Sequence, residues 1–287
     1  MGRIEDALAK IQASGSLPSR GGSTRPLGRV ADTAVPRLDH AYGGKPIEID
    51  MAELHRLRLL APDSHERRLA DEYRQIKRPL LINASRVREP VLERGNLLMV
   101  GSAMSGEGKT FTCLNLCLSI AREKDWDVVL VDGDCNKPQL TRLFGSENEL
   151  GLLDLLRDPE LTFDSLVMPT NLPGLSLLPA GKRDEQASEL LASARMSTLC
   201  AQISNADAQR VIVFDSAPLL LTSEAPVLAT QVGQILLVVH ANRTPQQAVL
   251  RARDLLDQSK AINVVLNQVA ATSDVLGSYG DYQTYPQ

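Results

Sequence analysis

No stretch of this sequence approaches the ~20 consecutive apolar residues needed to cross a bilayer. The opening MGRIEDALAK also lacks the apolar region of a secretory signal, and Asp6 stands where N-myristoylation requires Ser or Thr. A cytoplasmic location is expected from these absences. Positive charge is not in excess: 31 Lys and Arg against 35 Asp and Glu leave a net charge of -4. Bulk nucleic-acid binding calls for a basic face, so no nucleic-acid partner is expected. The four cysteines, Cys113, Cys117, Cys135 and Cys200, contain no CxxC pair and have no histidine at metal-ligand spacing. That argues against a zinc site and a disulfide framework, and leaves small buried residues of a reducing compartment. Tyrosine is scarce, with five residues in 287, yet Tyr279, Tyr282 and Tyr285 stand together in the closing GSYGDYQTYPQ.

What is present divides the chain. Residues 4–12, IEDALAKIQ, put Ile4, Leu8 and Ile11 on one helical face, and a mixture of Gly, Ser, Pro and Arg follows. This predicts a short amphipathic helix over 1–12 on a disordered linker over 13–62. From Ser64 to Ser85 the periodicity is helical, with Ser64 as the cap and an interruption near Pro79. Beyond it, apolar runs at 97–101, 127–132, 175–179, 211–215, 235–240 and 262–267 alternate with longer helical stretches. Runs that are apolar throughout imply strands covered on both faces. The expected architecture is therefore α/β, a P-loop NTPase-like wound sheet of mostly parallel strands flanked by helices. A domain over 63–268 is expected to hold it, followed by a flexible tyrosine-containing tail over 269–287. Ligands of such a sheet bind at the carboxyl ends of its strands.

Three strand ends carry polar residues with a common purpose. SAMSGEGKTFT follows the first strand and opens a helix near Lys109. Gly106 and Gly108 let backbone N–H groups wrap an anion, Lys109 reaches the β and γ phosphates, and the Thr110 hydroxyl meets Mg²⁺. Ala103 stands where the first glycine of G-x-x-x-x-G-K-[ST] belongs. VVLVDGDCNKP ends a strand with Asp132 and Asp134, two residues apart and so on one side of an extended chain. VIVFDSAPLL ends another with Asp215, suited to hold Mg²⁺ through water and to accept from Thr110. Each acid taken singly reads equally well as a strand-end cap; all three in this order point to a nucleotide site.

SAMSGEGKT, VVLVDGDCNKP and VIVFDSAP resemble the Walker A, A′ and B motifs of bacterial protein-tyrosine kinases, the BY-kinases. EYRQIKRPLLINA, GLLDLL, LSLLPAGKRDEQASELLAS and RTPQQAV are similar to tyrosine autokinases of exosortase-type exopolysaccharide loci. The resemblance covers residues 64–287 and the RIEDALAKIQ start. It implies ATP and Mg²⁺ as cofactors and phosphoryl transfer to a C-terminal tyrosine cluster, here Tyr279, Tyr282 and Tyr285. Carried over by motif, Ser105, Gly106, Glu107, Gly108, Lys109, Thr110 and Phe111 form the phosphate loop. Asn267, ending VVLN, resembles the nucleotide-base contact. Lys109, Asp132 and Asp134 make up the catalytic set, with Asp132 nearest the incoming hydroxyl. Thr110, Asp132 and Asp215 belong to the metal, with Asp134 in support.

The same resemblance implies self-association, phosphorylation between subunits, and a membrane polysaccharide chain-length regulator as activator. The protein would then lie peripherally at the inner face of the membrane. Asp71, Arg74 and Lys77, at i, i+3 and i+6, resemble the family's oligomer motif with Lys77 in place of its final Arg. Departures are Ser105 for Pro in the A loop, Asn136 for Arg in A′ and Ala217 for the first Pro of D-x-P-P. The alternative is a MinD- or ParA-like ATPase switch that controls partner association without phosphorylating protein. Its signature lysine, five residues before the P-loop lysine, is Met104 here.

Overall fold

A computed structural model describes residues 41–60, 65–85 and 91–269. The expected helix over 1–12, the Ser64 cap and the tail with Tyr279, Tyr282 and Tyr285 lie outside the described residues.

Seven strands form one sheet in the order β3-β4-β2-β5-β1-β6-β7. They are β1 (Leu97–Ser102), β2 (Asp127–Asp132), β3 (Met168–Pro169), β4 (Leu175–Leu178), β5 (Arg210–Asp215), β6 (Gln234–His240) and β7 (Ala261–Asn267). All neighbours pair in parallel except β3, which runs antiparallel to β4. Because the side-chain period of a strand is two, the apolar runs feed two cores at once. Leu97 and Met99 join one cluster, with Leu191, Met196, Cys200 and Leu228. Leu98 and Val100 join the other, with Tyr73, Leu80, Leu114 and Cys117. The first cluster draws on α7 (Ala187–Ala192), α8 (Ala194–Ala206) and α9 (Glu224–Gln231). The second draws on α2 (Glu66–Ala84) and α3 (Lys109–Ala121). All four cysteines are buried free thiols. Among the described residues, no helix is long and apolar enough to cross a membrane.

The remaining helices are α1 (Met51–Arg56), α4 (Gln139–Leu143), α5 (Leu152–Arg157), α6 (Phe163–Leu166) and α10 (Gln246–Asp254). The first of these corrects the expected linker over 41–60 alone; residues 13–40 and 61–62 lie outside the described residues. Residues 41–60 are packed: Ile47 bridges to Thr170, and Ile49, Leu54 and Leu60 are buried. Asp50 caps α1 by accepting from the N–H groups of Ala52 and Glu53. Ile47, Met51 and Leu59 pack beside them against the second cluster, so closely spaced aliphatic side chains order the segment.

Two further expectations are corrected. The helix does not stop near Pro79 but runs through it to Ala84. A mid-helix proline costs roughly 3 kcal/mol; here burial of Tyr73, Leu80 and Ala84 on both sides of Pro79 offsets it. The buried Gln234 amide pins the far half, donating to the Leu80 carbonyl at 3.0 Å and accepting from Asn83 at 3.0 Å. Strand β7 is not covered on both faces either. Val264 and Leu266 are 56% and 63% exposed on this last strand of the sheet, while Ile262 of the same row still packs against the first cluster.

On α2, Arg74 pairs with Asp71 at 2.7 Å on the exposed surface. Lys77 does not share that surface. It is buried, and its ammonium donates to the Ser119 carbonyl and meets Glu123, both at 2.6 Å. A residue expected beside Arg74 at a subunit contact instead fastens α2 to the last turn of α3, where carbonyls lack helical partners and favour a cation. Replacing it as Lys77→Met should lower unfolding free energy by about 1.5–3 kcal/mol, the range for a hydrogen bond to a charged group. Urea denaturation would check this, and Arg74→Met should cost less than about 0.5 kcal/mol in the same assay.

Candidate active site

The parallel topology brings the ends of β1, β2 and β5 to one edge of the sheet. Asp132 and Asp215 are register partners on adjacent strands, and Val100 of β1 pairs with Asp215 from the other side. The loop after β1 therefore opens directly in front of both acids. Gly106 and Gly108 have φ of 81° and 91°, left-handed values that favour glycine. Gly108 is also the N-cap of α3, so the loop delivers its N–H groups to a helix N-terminus.

Glu107 and Asn267 set the shape of that loop. The buried Glu107 carboxylate accepts from the Met104 N–H at 2.6 Å and from the Thr244 hydroxyl. Its carbonyl accepts from the Asn267 amide at 2.9 Å. The amide lies so close that a Cβ on Gly108 would fall 2.0 Å from Nδ2. Ser105 and Gly106 are exposed at the loop tip and Phe111 is half-buried on α3.

Behind the loop, the Thr110 hydroxyl donates to Oδ2 of Asp215 at 2.7 Å, with Gln139 Oε1 at 3.1 Å. Oδ1 of Asp215 is buried without a hydrogen-bond partner. A carboxylate with one oxygen on the P-loop threonine and the other free fits a divalent cation, held directly or through water. Burial pushes the Asp215 carboxyl up to about 6, against the charge of Lys109 and the bond from Thr110. Asp132 is fully buried and is pushed up to about 7, chiefly by desolvation, with the bonds from Thr141 opposing. Its Oδ2 accepts from both the N–H and the hydroxyl of Thr141 at 2.8 Å, and its Oδ1 from the Asp134 N–H at 3.3 Å. Asp134 accepts from the Lys137 N–H at 3.0 Å and lies 3.8 Å from the Lys109 ammonium.

The structure thus gathers Lys109, Thr110, Asp132, Asp134 and Asp215 at one edge and sets Asn267 against the loop. Asn136, where the BY-kinase pattern has Arg, bonds Glu224 at 2.5 Å, and Ala217 is buried. Three contributors were not singled out from sequence: Gln139, Thr141 and Thr244. Gln139 and Thr141 sit on α4, immediately after the NKP that closes the A′ stretch. Polar residues at i and i+2 on either side of the buried Leu140 were the available signal. Thr244 lies inside the RTPQQAV stretch, just before the N-cap Pro245.

A mostly parallel sheet, a glycine loop opening a helix and acids at the ends of the next two strands, β5 and β2, define a P-loop nucleotide-binding protein. Residues 98–277 match the CobQ/CobB/MinD/ParA nucleotide binding domain, and the chain belongs to that family. Its curated relatives include proteins named as bacterial tyrosine kinases. The tyrosine-protein kinase CpsD of Streptococcus agalactiae is 26% identical over 195 residues, which span 67% of this chain and 82% of CpsD. For YwqD of Bacillus subtilis the identity is 28% over 193 residues, spanning 66% and 80%. The solved VpsO kinase domain shares 28% identity at a TM-score of 0.55, covering 69% of this chain and 98% of that domain.

The crowding at Gly108 generates a direct test. Gly108→Ala should weaken binding of a fluorescent ATP analogue at least about tenfold, since left-handed strain of order 1–3 kcal/mol adds to the clash with Asn267. Circular dichroism should show the fold retained.

Proposed function

We propose that this chain, a protein-tyrosine kinase, uses ATP and Mg²⁺ to phosphorylate its own C-terminal cluster, Tyr279, Tyr282 and Tyr285, and thereby regulates exopolysaccharide synthesis or export. The observation that carries the reading is the register of Asp132 beside Asp215, with Thr110 bonded to one acid and Lys109 beside Asp134. Phosphoryl transfer needs little covalent chemistry from the protein, so positioning and charge neutralisation at one point are the main requirements. Similarity to proteins named as tyrosine kinases supports the same conclusion.

In this reading, the loop from Ser105 to Phe111 surrounds the phosphates and Asn267 lies toward the base. Lys109 exchanges Asp134 for the β and γ phosphates. Thr110 and Asp215, with Asp132 next to them, would hold Mg²⁺, which supplies neutralisation of phosphate charge when bound. Asp132 orients the tyrosine hydroxyl. The phenolic oxygen bonds to the γ phosphorus as the bond to ADP breaks, and the phenolic proton passes late to Asp132. Transfer runs between subunits of a homo-oligomer. A membrane polysaccharide chain-length regulator acts as activator and holds the kinase peripherally at the inner face of the membrane; the BY-kinase resemblance of the sequence supports both partners.

Mass spectrometry after incubation with Mg·ATP tests the reading. Phosphotyrosine is expected at positions 279, 282 and 285 of the wild-type protein and none in Lys109→Met. ATP hydrolysis without any phosphotyrosine would favour the MinD/ParA-like switch instead. Thr110→Ala should raise the Mg²⁺ concentration for half-maximal activity by about tenfold, the worth of one lost oxygen ligand, as read from a magnesium titration at fixed ATP.

A further inference from the structure

Thr141 occupies an unusual position for a residue in a five-residue helix. It is buried, and all its polar atoms are engaged. Its N–H and hydroxyl both donate to Asp132 Oδ2 at 2.8 Å. The hydroxyl oxygen in turn accepts from the Ala180 N–H at 3.0 Å, and the carbonyl accepts from the N–H and hydroxyl of Ser146 at 2.9 and 3.1 Å. One hydroxyl proton serves one acceptor, so the direction of this chain is fixed: Ala180 to Thr141 to Asp132. The strand end carrying Asp132, helix α4 and the segment after β4 therefore meet at a single side chain.

The consequence falls on the carboxylate. Two short bonds saturate Oδ2 and stop rotation about χ2. Oδ1, with only the 3.3 Å contact from the Asp134 N–H, retains acceptor capacity. We propose that Thr141 is a positioning residue for phosphoryl transfer: it commits Oδ2 of Asp132 to the scaffold so that Oδ1 is the oxygen that receives the substrate hydroxyl. The inference rests on the kinase reading above. It deepens that reading by naming what aims Asp132. A threonine that merely stabilised the fold would act on folding and on nucleotide affinity, whereas one that aims Asp132 acts on turnover and only through Asp132.

The full-length protein tests this with four variants, Thr141→Val, Thr141→Ser, Asp132→Asn and the Thr141→Val/Asp132→Asn pair. Thr141→Val keeps the shape and the backbone N–H but deletes the hydroxyl. It should lower kcat for tail phosphorylation about tenfold or more, the effect expected for one charge-assisted hydrogen bond, with KM for ATP within about twofold of wild type. Thr141→Ser should recover most of the loss, and the pair should be no slower than Asp132→Asn alone. Full kcat in Thr141→Val, equal losses in the Val and Ser variants, a loss confined to KM, or additive losses in the pair would each overturn the inference. If Thr141→Val does not fold, Thr141→Ala replaces it, and failure of both to fold would also overturn it in favour of a structural role. If the wild-type protein hydrolyses ATP without phosphorylating tyrosine, the kinase reading fails separately. The same variants are then read on hydrolysis, where Asp132 would orient water, with the same outcomes for and against Thr141.

Discussion

The hydrogen bond between Thr110 and Asp215 is the contact on which the rest of the site depends. It joins the first turn of α3 to the end of β5, the central strand of seven. Asp215 is held on three sides: its carbonyl accepts from the Gly133 N–H at 2.8 Å, and the following Ser216 N–H donates to the Val100 carbonyl at 3.2 Å. The ends of β1, β2 and β5 are thereby locked to one another before any ligand is considered. Backbone bonds of the sheet align the strand ends; the side-chain bond then brings the phosphate loop against them.

That arrangement concentrates charge of one sign. Asp132, Asp134 and Asp215 converge there, Lys109 acts on Asp134 and Asp215, and two of the three carboxyls are pushed toward neutral pH by burial. An isolated fold gains nothing from such crowding, and sites that violate local stability rules in this way are where function is generally found. The protein contains the repulsion with neutral donors. Thr110 serves Asp215, Thr141 serves Asp132, and the Lys137 backbone serves Asp134. Such donors restrain the carboxylates without cancelling their charge, which leaves the acids suited to a cation, with the phosphate side left to Lys109 and the loop N–H groups.

Much of this was legible in the sequence because strands buried on both faces read as uninterrupted apolar runs ending in a charged residue. DVVLVD and VIVFD show both features, and the glycines of SGEGKT mark the loop between a strand and a helix. Other parts had no such signal. β3 is two residues long and includes Pro169, too short for any periodicity. The aliphatic residues of 41–60 follow directly on a Gly-, Ser-, Pro- and Arg-rich stretch that masks them, and Lys77 looks like a surface residue until its ammonium is placed on the last turn of α3. Thr141 and Thr244 act through tertiary contacts, so their importance depends on Asp132 and Glu107 arriving from elsewhere in the chain.

The contact between Gly108 and Asn267 carries a consequence for how such a sequence can change. The two positions are far apart in the chain, but the Asn267 amide fills the volume that any side chain at 108 would enter. Drift at 108 is blocked by Asn267 and by the left-handed backbone together, whereas drift at 267 removes the donor that holds the Glu107 carbonyl. Neither position can explore substitutions alone. The end of the last strand and the phosphate loop are therefore constrained as one unit, although they lie at opposite ends of the domain sequence.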